Sequence, residues 1–260
     1  MKIAMIQMNT RLSDPDFNFT HAEELIYQAA RQHPDIITLP ETWNTGFFPT
    51  DHLKDCSDPN GEKTYSFLSD ISQRLHINLV AGSVAISQNN KFYNRAYQFD
   101  RNGNSLGFYD KVHLFSPMKE DQYFQKGNHL HTFVCDQIRC GIVICYDIRF
   151  PEWIRQTVLQ KIDLLFVVAQ WPLARLSHWE ILNQARAIEN QIFVCCTNSC
   201  QSDGVTTYAG HSCIYDPLGN CIQKADDTEM ILTASLDFSI LKEIRQSMPV
   251  FKDRRTDLYS

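Results

Sequence analysis

The chain has 260 residues, of which 43% are hydrophobic and 21% charged, the composition of an ordinary soluble globular protein. Its net charge of −6 argues against a nucleic-acid phosphate track as the main function, since that needs clustered Lys and Arg, and the most basic short stretch, residues 252–255, lies at the tail. No segment approaches the roughly 20 apolar residues of a membrane span, and the apolar start over residues 1–12 is too short for a signal h-region, so a cytoplasmic protein with neither nucleic-acid nor membrane partners is expected.

Residues 2–8 read as a first strand, and 17–31 as a helix with Asp14 or Asp16 as its cap. Residues 35–39 (DIITL) form a short buried strand that stops at Pro40, directly before Glu41. A helix opens at Asn60-Gly61-Glu62 and runs through Leu75, and a third strand over 77–85 carries Gly82. Two strand-like runs, 91–100 and 105–112, flank Arg101-Asn102-Gly103-Asn104, a hairpin signal. Residues 115–128, with Pro117 and Gly127, read as an irregular loop of the kind that rims a site.

The central stretch is IRCGIVICYDIRFPE, residues 138–152. Its run from Gly141 to Cys145 is apolar and β-branched, as in a strand buried on both faces. Phe150-Pro151-Glu152 then has the form of a helix start. Cys145 is thus expected at the carboxyl end of a central strand, facing a helix N-terminus, where open α/β folds bind ligands. Further along come a buried strand over 163–169, a helix over 178–191 whose Ile181, Leu182, Ala185 and Ile188 share a face, a strand over 192–197, a hairpin over 208–224 and a last strand over 229–236. A short helix over 238–246 closes the pattern. Strands alternate with helices and hairpins over the whole length, which favours one mixed α/β domain spanning residues 1–260.

Glu41, Lys111, Glu120 and Cys145 have complementary chemistry at similar places. A cysteine nucleophile needs a base and an oxyanion donor, and a carboxylate serves as base when it is shielded, here by Leu39, Trp43 and Phe47. Taken singly, each has a plainer role open to it. Glu41 could cap a turn, Lys111 could be a solvated strand end, Glu120 could be part of a charged loop with Lys119 and Asp121, and Cys145 could be packing. His113 is the partner that papain-like chemistry would use. The nine cysteines contain no CxxC pair, so neither a zinc site nor a thioredoxin-like motif is indicated, and reduced thiols are expected.

Three blocks carry a family resemblance: Leu39-Pro40-Glu41, Tyr109-Asp110-Lys111-Val112-His113-Leu114-Phe115, and the Gly141 to Glu152 stretch ending Cys145-Tyr146-Asp147-Ile148-Arg149-Phe150-Pro151-Glu152. In this order they resemble the signatures of the nitrilase superfamily of carbon–nitrogen hydrolases. Trp171-Pro172, His178-Trp179, Ala185-Arg186-Ala187-Ile188-Glu189-Asn190 and Asp253-Arg254-Arg255-Thr256-Asp257-Leu258-Tyr259 extend the similarity over nearly the whole chain. The resemblance implies a four-layer αββα sandwich, an enzyme needing no metal or cofactor, and a homo-oligomer, a dimer, formed by pairing of sandwiches. It implies Glu41 as general base, Lys111 as oxyanion stabiliser, Cys145 as nucleophile, the Tyr146 backbone N–H as second oxyanion donor, and Glu120 as a second glutamate that positions substrate or holds Lys111.

The Cys145 block looks most like the ω-amidase branch, whose substrates are short dicarboxylic acid monoamides such as 2-oxoglutaramate and succinamate. Such a small-molecule amide has a far carboxylate that a cation should face. Arg149 and Arg175 are candidates, with ion pairs to Asp147, Glu152 or Glu189 as the alternative. Trp43, Phe124 and Trp171 are candidates to line the pocket, with core packing as the alternative. An N-carbamoyl hydrolase, a deaminated-cofactor amidase or a true nitrilase are other specificities for the same scaffold.

Overall fold

A computed structural model describes residues 1–47 and 51–259. The chain opens with β1 (Lys2–Gln7), α1 (Pro15–Ala30) and β2 (Ile36–Thr38). A short α2 (Leu53–Cys56) and a two-residue β3 (Asp58–Pro59) lead to α3 (Glu62–Leu75). Next are β4 (Asn78–Val80), β5 (Val84–Gln88), β6 (Lys91–Phe99) and β7 (Ser105–Asp110). A short α4 (Glu120–Tyr123) precedes β8 (Thr132–Cys135), β9 (Ile138–Ile144), α5 (Pro151–Val158), β10 (Leu164–Ala169), α6 (Leu176–Asn190) and β11 (Phe193–Asn198). The last elements are β12 (Cys200–Ser202), β13 (Thr207–Ala209), β14 (Cys213–Tyr215), β15 (Cys221–Lys224), β16 (Met230–Ser235) and α7 (Ile240–Ser247).

Two sheets organise these elements. One runs β16-β1-β2-β4-β6-β5-β3, with β7 also paired to β6; the other runs β15-β14-β11-β10-β9-β8. Strand periodicity explains how they stack. Along β1, Ile3 and Met5 join the core shared with the second sheet, while Ala4 and Ile6 join a core with Phe19, Leu25 and Ile26 of α1 and Leu68 and Ile71 of α3. β2 and β4 divide the same way, Ile36 and Val80 inward, Ile37 and Leu79 toward the helices. Ile154 and Val158 of α5 and Trp179 and Ala187 of α6 pack with the second sheet. The result is helices, sheet, sheet, helices, the expected αββα sandwich. Among the described residues no helix is long and apolar enough to cross a membrane.

Local chemistry sets the boundaries. The Asp14 side chain, rather than Asp16, caps α1 by accepting from the Phe17 N–H at 3.2 Å, with Pro15 in the first turn. The run over 77–85 is two strands rather than one. It breaks at Gly82, which has φ +59°; a Cβ there would lie 2.0 Å from the Pro40 carbonyl oxygen. That contact lets the chain pass against the Pro40–Glu41 corner, where the Ser83 N–H donates to the Pro40 carbonyl at 3.0 Å. Residues 115–128 are less irregular than expected, containing a 3-10 turn (Ser116–Met118) and α4.

The expected apolar face of α6 is corrected. Its buried residues are Trp179, Asn183, Arg186, Ala187 and Asn190, while Ile181 is 63% and Ile188 48% exposed. Buried polar groups are tolerated once bonded. Asn183 and Asn190 donate to carbonyls one turn back on α6, at 2.9 Å each, and Arg186 donates to the Ile148 carbonyl at 3.0 and 2.8 Å.

Candidate active site

Glu41 lies just beyond β2 and Pro40, and Lys111 directly follows β7; both are fully buried. Lys111 Nζ donates to Glu41 Oε1 at 2.8 Å and to the two oxygens of Glu120 at 3.0 and 2.9 Å. Glu120 opens α4, and its Oε2 also accepts from the Phe115 N–H at 2.6 Å. Asn94, on β6, donates through Nδ2 to Glu41 Oε1 at 2.8 Å and to Glu120 Oε1 at 3.4 Å. The second sheet supplies the remaining bond, from the Gln170 N–H to Glu41 Oε2 at 2.8 Å. Burial alone would lower the lysine pKa, but the charges of Glu120 and Glu41 more than reverse this and keep Lys111 protonated. Burial raises the Glu120 carboxyl, against the pull of Lys111 and with the push of Glu41.

Cys145 follows β9 and begins the 3-10 turn Cys145–Arg149. Burial pushes its thiol well above the ordinary value, and the negative charge of Glu41 adds to that rise while Lys111 opposes it. The resting group is therefore a neutral thiol, and it needs a base to react. Its backbone is left-handed at φ +47°, a conformation that costs a non-glycine residue about 1–3 kcal/mol. Buried Asp147 fixes this corner. It accepts from the Ile144 N–H at 3.0 Å, the Tyr109 hydroxyl at 2.8 Å, and the backbone N–H and Nδ1 of His113 at 2.9 and 2.8 Å. His113 is thus engaged with Asp147, and its ring stacks on Phe150 at 3.8 Å.

Cys145 lines a cavity of about 110 Å³ together with Phe47, Phe115, Met118, Tyr146, Arg149, Gln170, Trp171, Pro172, Arg175, Thr206 and Tyr208. Arg149 lies over the Trp171 ring at 4.7 Å, with Nη2 3.2 Å from His178 Nδ1, and Arg175 lies over the Phe115 ring at 5.1 Å. Burial lowers the Arg149 pKa, and the neighbouring charge of Arg175 lowers it further. Two of their alternative partners are engaged elsewhere, Asp147 as above and Glu189 with Arg186 at 2.9 Å. Two like charges on so small a cavity suit an anion.

Of the residues expected around the pocket, Tyr146, Arg149, Trp171 and Arg175 line it. Trp43 does not: its indole packs on Phe19 and Phe67 between sheet and helices, donating to the Ala81 carbonyl at 2.8 Å. That buried carbonyl and the apolar helix layer draw it away from the cavity. Phe124 also lies outside the lining, in a buried cluster with Phe47, Leu114 and Tyr208, so it backs the wall. Asn94 and Gln170 were missed. A signal existed for Gln170, the first polar residue after a buried strand, the position that also marks Cys145. Among the described residues no group of three or more His, Cys, Asp or Glu could hold a metal ion.

The sequence model of the carbon-nitrogen hydrolase family matches residues 2–246. The chain belongs to that family. It lies in the nitrilase superfamily, on the omega-amidase branch, and is a hydrolase of carbon–nitrogen bonds other than peptide bonds. It is 39% identical to a protein of Bacillus subtilis named 2-oxoglutaramate amidase, over 99% of this chain and 98% of that one. It is 32% identical to human omega-amidase NIT2, over 100% and 96%. Among solved structures, a CN-hydrolase superfamily protein of Xanthomonas campestris, with an arsenic adduct in its active site, has a TM-score of 0.91 at 29% identity, covering 98% of this chain and 97% of that one. A variant of an amidase from Nesterenkonia, with acrylamide added at its active site cysteine, has a TM-score of 0.88 at 25% identity, covering 100% and 98%.

Proposed function

We propose that the protein is a cysteine amidohydrolase that cleaves the amide of short dicarboxylic acid monoamides, of the 2-oxoglutaramate or succinamate type, and releases ammonia. The observation that carries this reading is a small cavity holding Cys145, Arg149 and Arg175, with the charge of a buried Glu41, which shares Lys111 with Glu120, acting on the thiol. The names of the Bacillus and human relatives support the substrate class. The acrylamide adduct on the cysteine of the Nesterenkonia amidase supports the thiol's role.

In this mechanism Glu41 takes the Cys145 proton as sulfur attacks the amide carbon. Charge builds on the amide oxygen between Lys111 Nζ and the Tyr146 N–H, where each donor is worth about 3 kcal/mol in the transition state. The C–N bond breaks as Glu41 returns the proton to nitrogen, and ammonia leaves a thioester. Water, deprotonated by Glu41, hydrolyses that thioester and regenerates the thiol. Glu120 holds Lys111 and spreads its charge, and Arg149 and Arg175 bind the far carboxylate, with Trp171 forming a wall. The reading takes the chain as one hydrolase domain, cytoplasmic, in keeping with nine free cysteines, and homodimeric, in keeping with the uncovered Ile181 and Ile188 on α6.

The test is ammonia release from 2-oxoglutaramate and succinamate. Cys145→Ala should abolish it with the circular dichroism spectrum unchanged. Absence of ammonia from both amides, with a titratable Cys145, would overturn the substrate class; turnover surviving in the variant would overturn the nucleophile.

A further inference from the structure

Gln170 touches Glu41 two ways, and the residue before it adds a third contact. Its N–H donates to Glu41 Oε2 at 2.8 Å, its Nε2 donates to the Glu41 carbonyl at 2.8 Å, and the Glu41 N–H meets the carbonyl of the preceding Ala169 at 3.4 Å. Nε2 also reaches Thr10 Oγ1 at 3.5 Å. The Glu41 carbonyl can only accept, so the orientation of the Gln170 amide is settled: nitrogen toward Glu41, oxygen away. That oxygen, Oε1, is buried and has no hydrogen-bond partner. Gln170 is only 2% exposed, yet it lines the cavity with Cys145.

A buried acceptor left unmatched is disfavoured, and of the residues with such unmatched atoms among those described, Gln170 is the one that lines the cavity, where a ligand can complete it. A primary amide brings two N–H groups on the nitrogen that is to leave. In the tetrahedral intermediate the lone pair of that nitrogen must face Glu41, which protonates it, so both N–H groups point aside. One of them needs an acceptor beside Glu41, on the cavity wall. We propose that Gln170 Oε1 is that acceptor and that Gln170 is a specificity residue for the unsubstituted carboxamide, turning the site toward –CONH2 and against acyl groups whose leaving atom bears no N–H. This rests on the amidase reading above and deepens it.

The experiment compares a primary amide with an ester of the same acyl group, succinamate against monomethyl succinate, by kcat/KM, which covers binding and acylation and excludes thioester hydrolysis. In Gln170→Met the amide-to-ester ratio of kcat/KM should fall roughly five- to tenfold, the size of one neutral hydrogen bond. Gln170→Glu, which keeps an oxygen in place, should retain more of the ratio than Met, and it serves if the Met variant fails to fold. An unchanged ratio overturns the proposal, whether both rates fall together, as they would if Gln170 only braced Glu41, or neither falls. Wild-type protein that hydrolyses neither compound sinks the amidase reading and this proposal together. Wild-type turnover with an unmoved ratio sinks only the role of Gln170.

Discussion

At the scale of single residues, the site is dominated by one buried ammonium shared between two buried carboxylates. Such a group is stabilised only while all three members are present, because each charge has given up its water. Lys111→Met would leave Glu41 and Glu120 confined together with Asn94 as their common donor. It should lower stability by about 3–5 kcal/mol, read from urea unfolding, and reduce kcat/KM at least a hundredfold through the lost oxyanion donor. Lys111→Arg should not restore activity, since a planar guanidinium does not fit the point at which both carboxylates converge. A Lys111→Met protein as stable as wild type would contradict the buried ion cluster. Little of this was legible in the sequence by chemistry alone: Lys111 reads there as a strand end and Glu120 as part of a charged loop. What buries them is their meeting with Glu41 and Asn94 from other strands of the sheet, a tertiary fact that local patterns do not carry.

At the scale of elements, the corner from β9 into α5 is where a strained cysteine is held. The strand and the helix start were legible, because a continuous apolar run followed by Phe-Pro-Glu admits few other structures. The break at Gly82 was not, since its cause is the Pro40 carbonyl contributed from elsewhere in the chain. The face of α6 was misread because hydrophobic periodicity assumes that polar residues turn outward, whereas Asn183, Arg186 and Asn190 turn inward and satisfy carbonyls. Asp147 is the element's anchor. Asp147→Ala should strand the donors of Tyr109, His113 and Ile144 and release the Cys145 turn. The expected result is a loss of about 2–4 kcal/mol in stability and a fall in kcat larger than any rise in KM, since Gln170, Trp171, Pro172 and Arg175 of the cavity wall, between β10 and α6, stay in place. A variant with raised KM and intact kcat would show that Asp147 shapes the cavity rather than the thiol.

At the scale of the whole molecule, α6 leaves apolar side chains without cover. Ile181 and Ile188 stand on its outer side, and Leu218, 61% exposed, lies in the loop after β14. Gly219 lies against Ile188, since a Cβ placed on it would come 2.5 Å from Ile188 Cδ1, so the loop and helix form one surface. Isolated exposed isoleucines are ordinary, but two on one helix with a loop against it fit the proposed dimer. The homodimer reading therefore predicts that Ile181→Lys with Ile188→Lys halves the mass seen by light scattering while the secondary structure is kept. A wild type already monomeric at micromolar concentration would remove the dimer from the account.

The groups around the cavity come from both sheets. Glu41, Asn94 and Lys111 leave the eight-stranded one; Cys145 and Gln170 leave the six-stranded one. The bond from the Gln170 N–H to Glu41 crosses between them and joins residues 129 apart in the chain. During synthesis the first half emerges carrying a base and a lysine with nothing to activate, and the thiol arrives later with no base until the sheets meet. Under the proposed mechanism a newborn chain is therefore chemically inert until its two sheets have docked, and the onset of turnover during refolding times that docking directly.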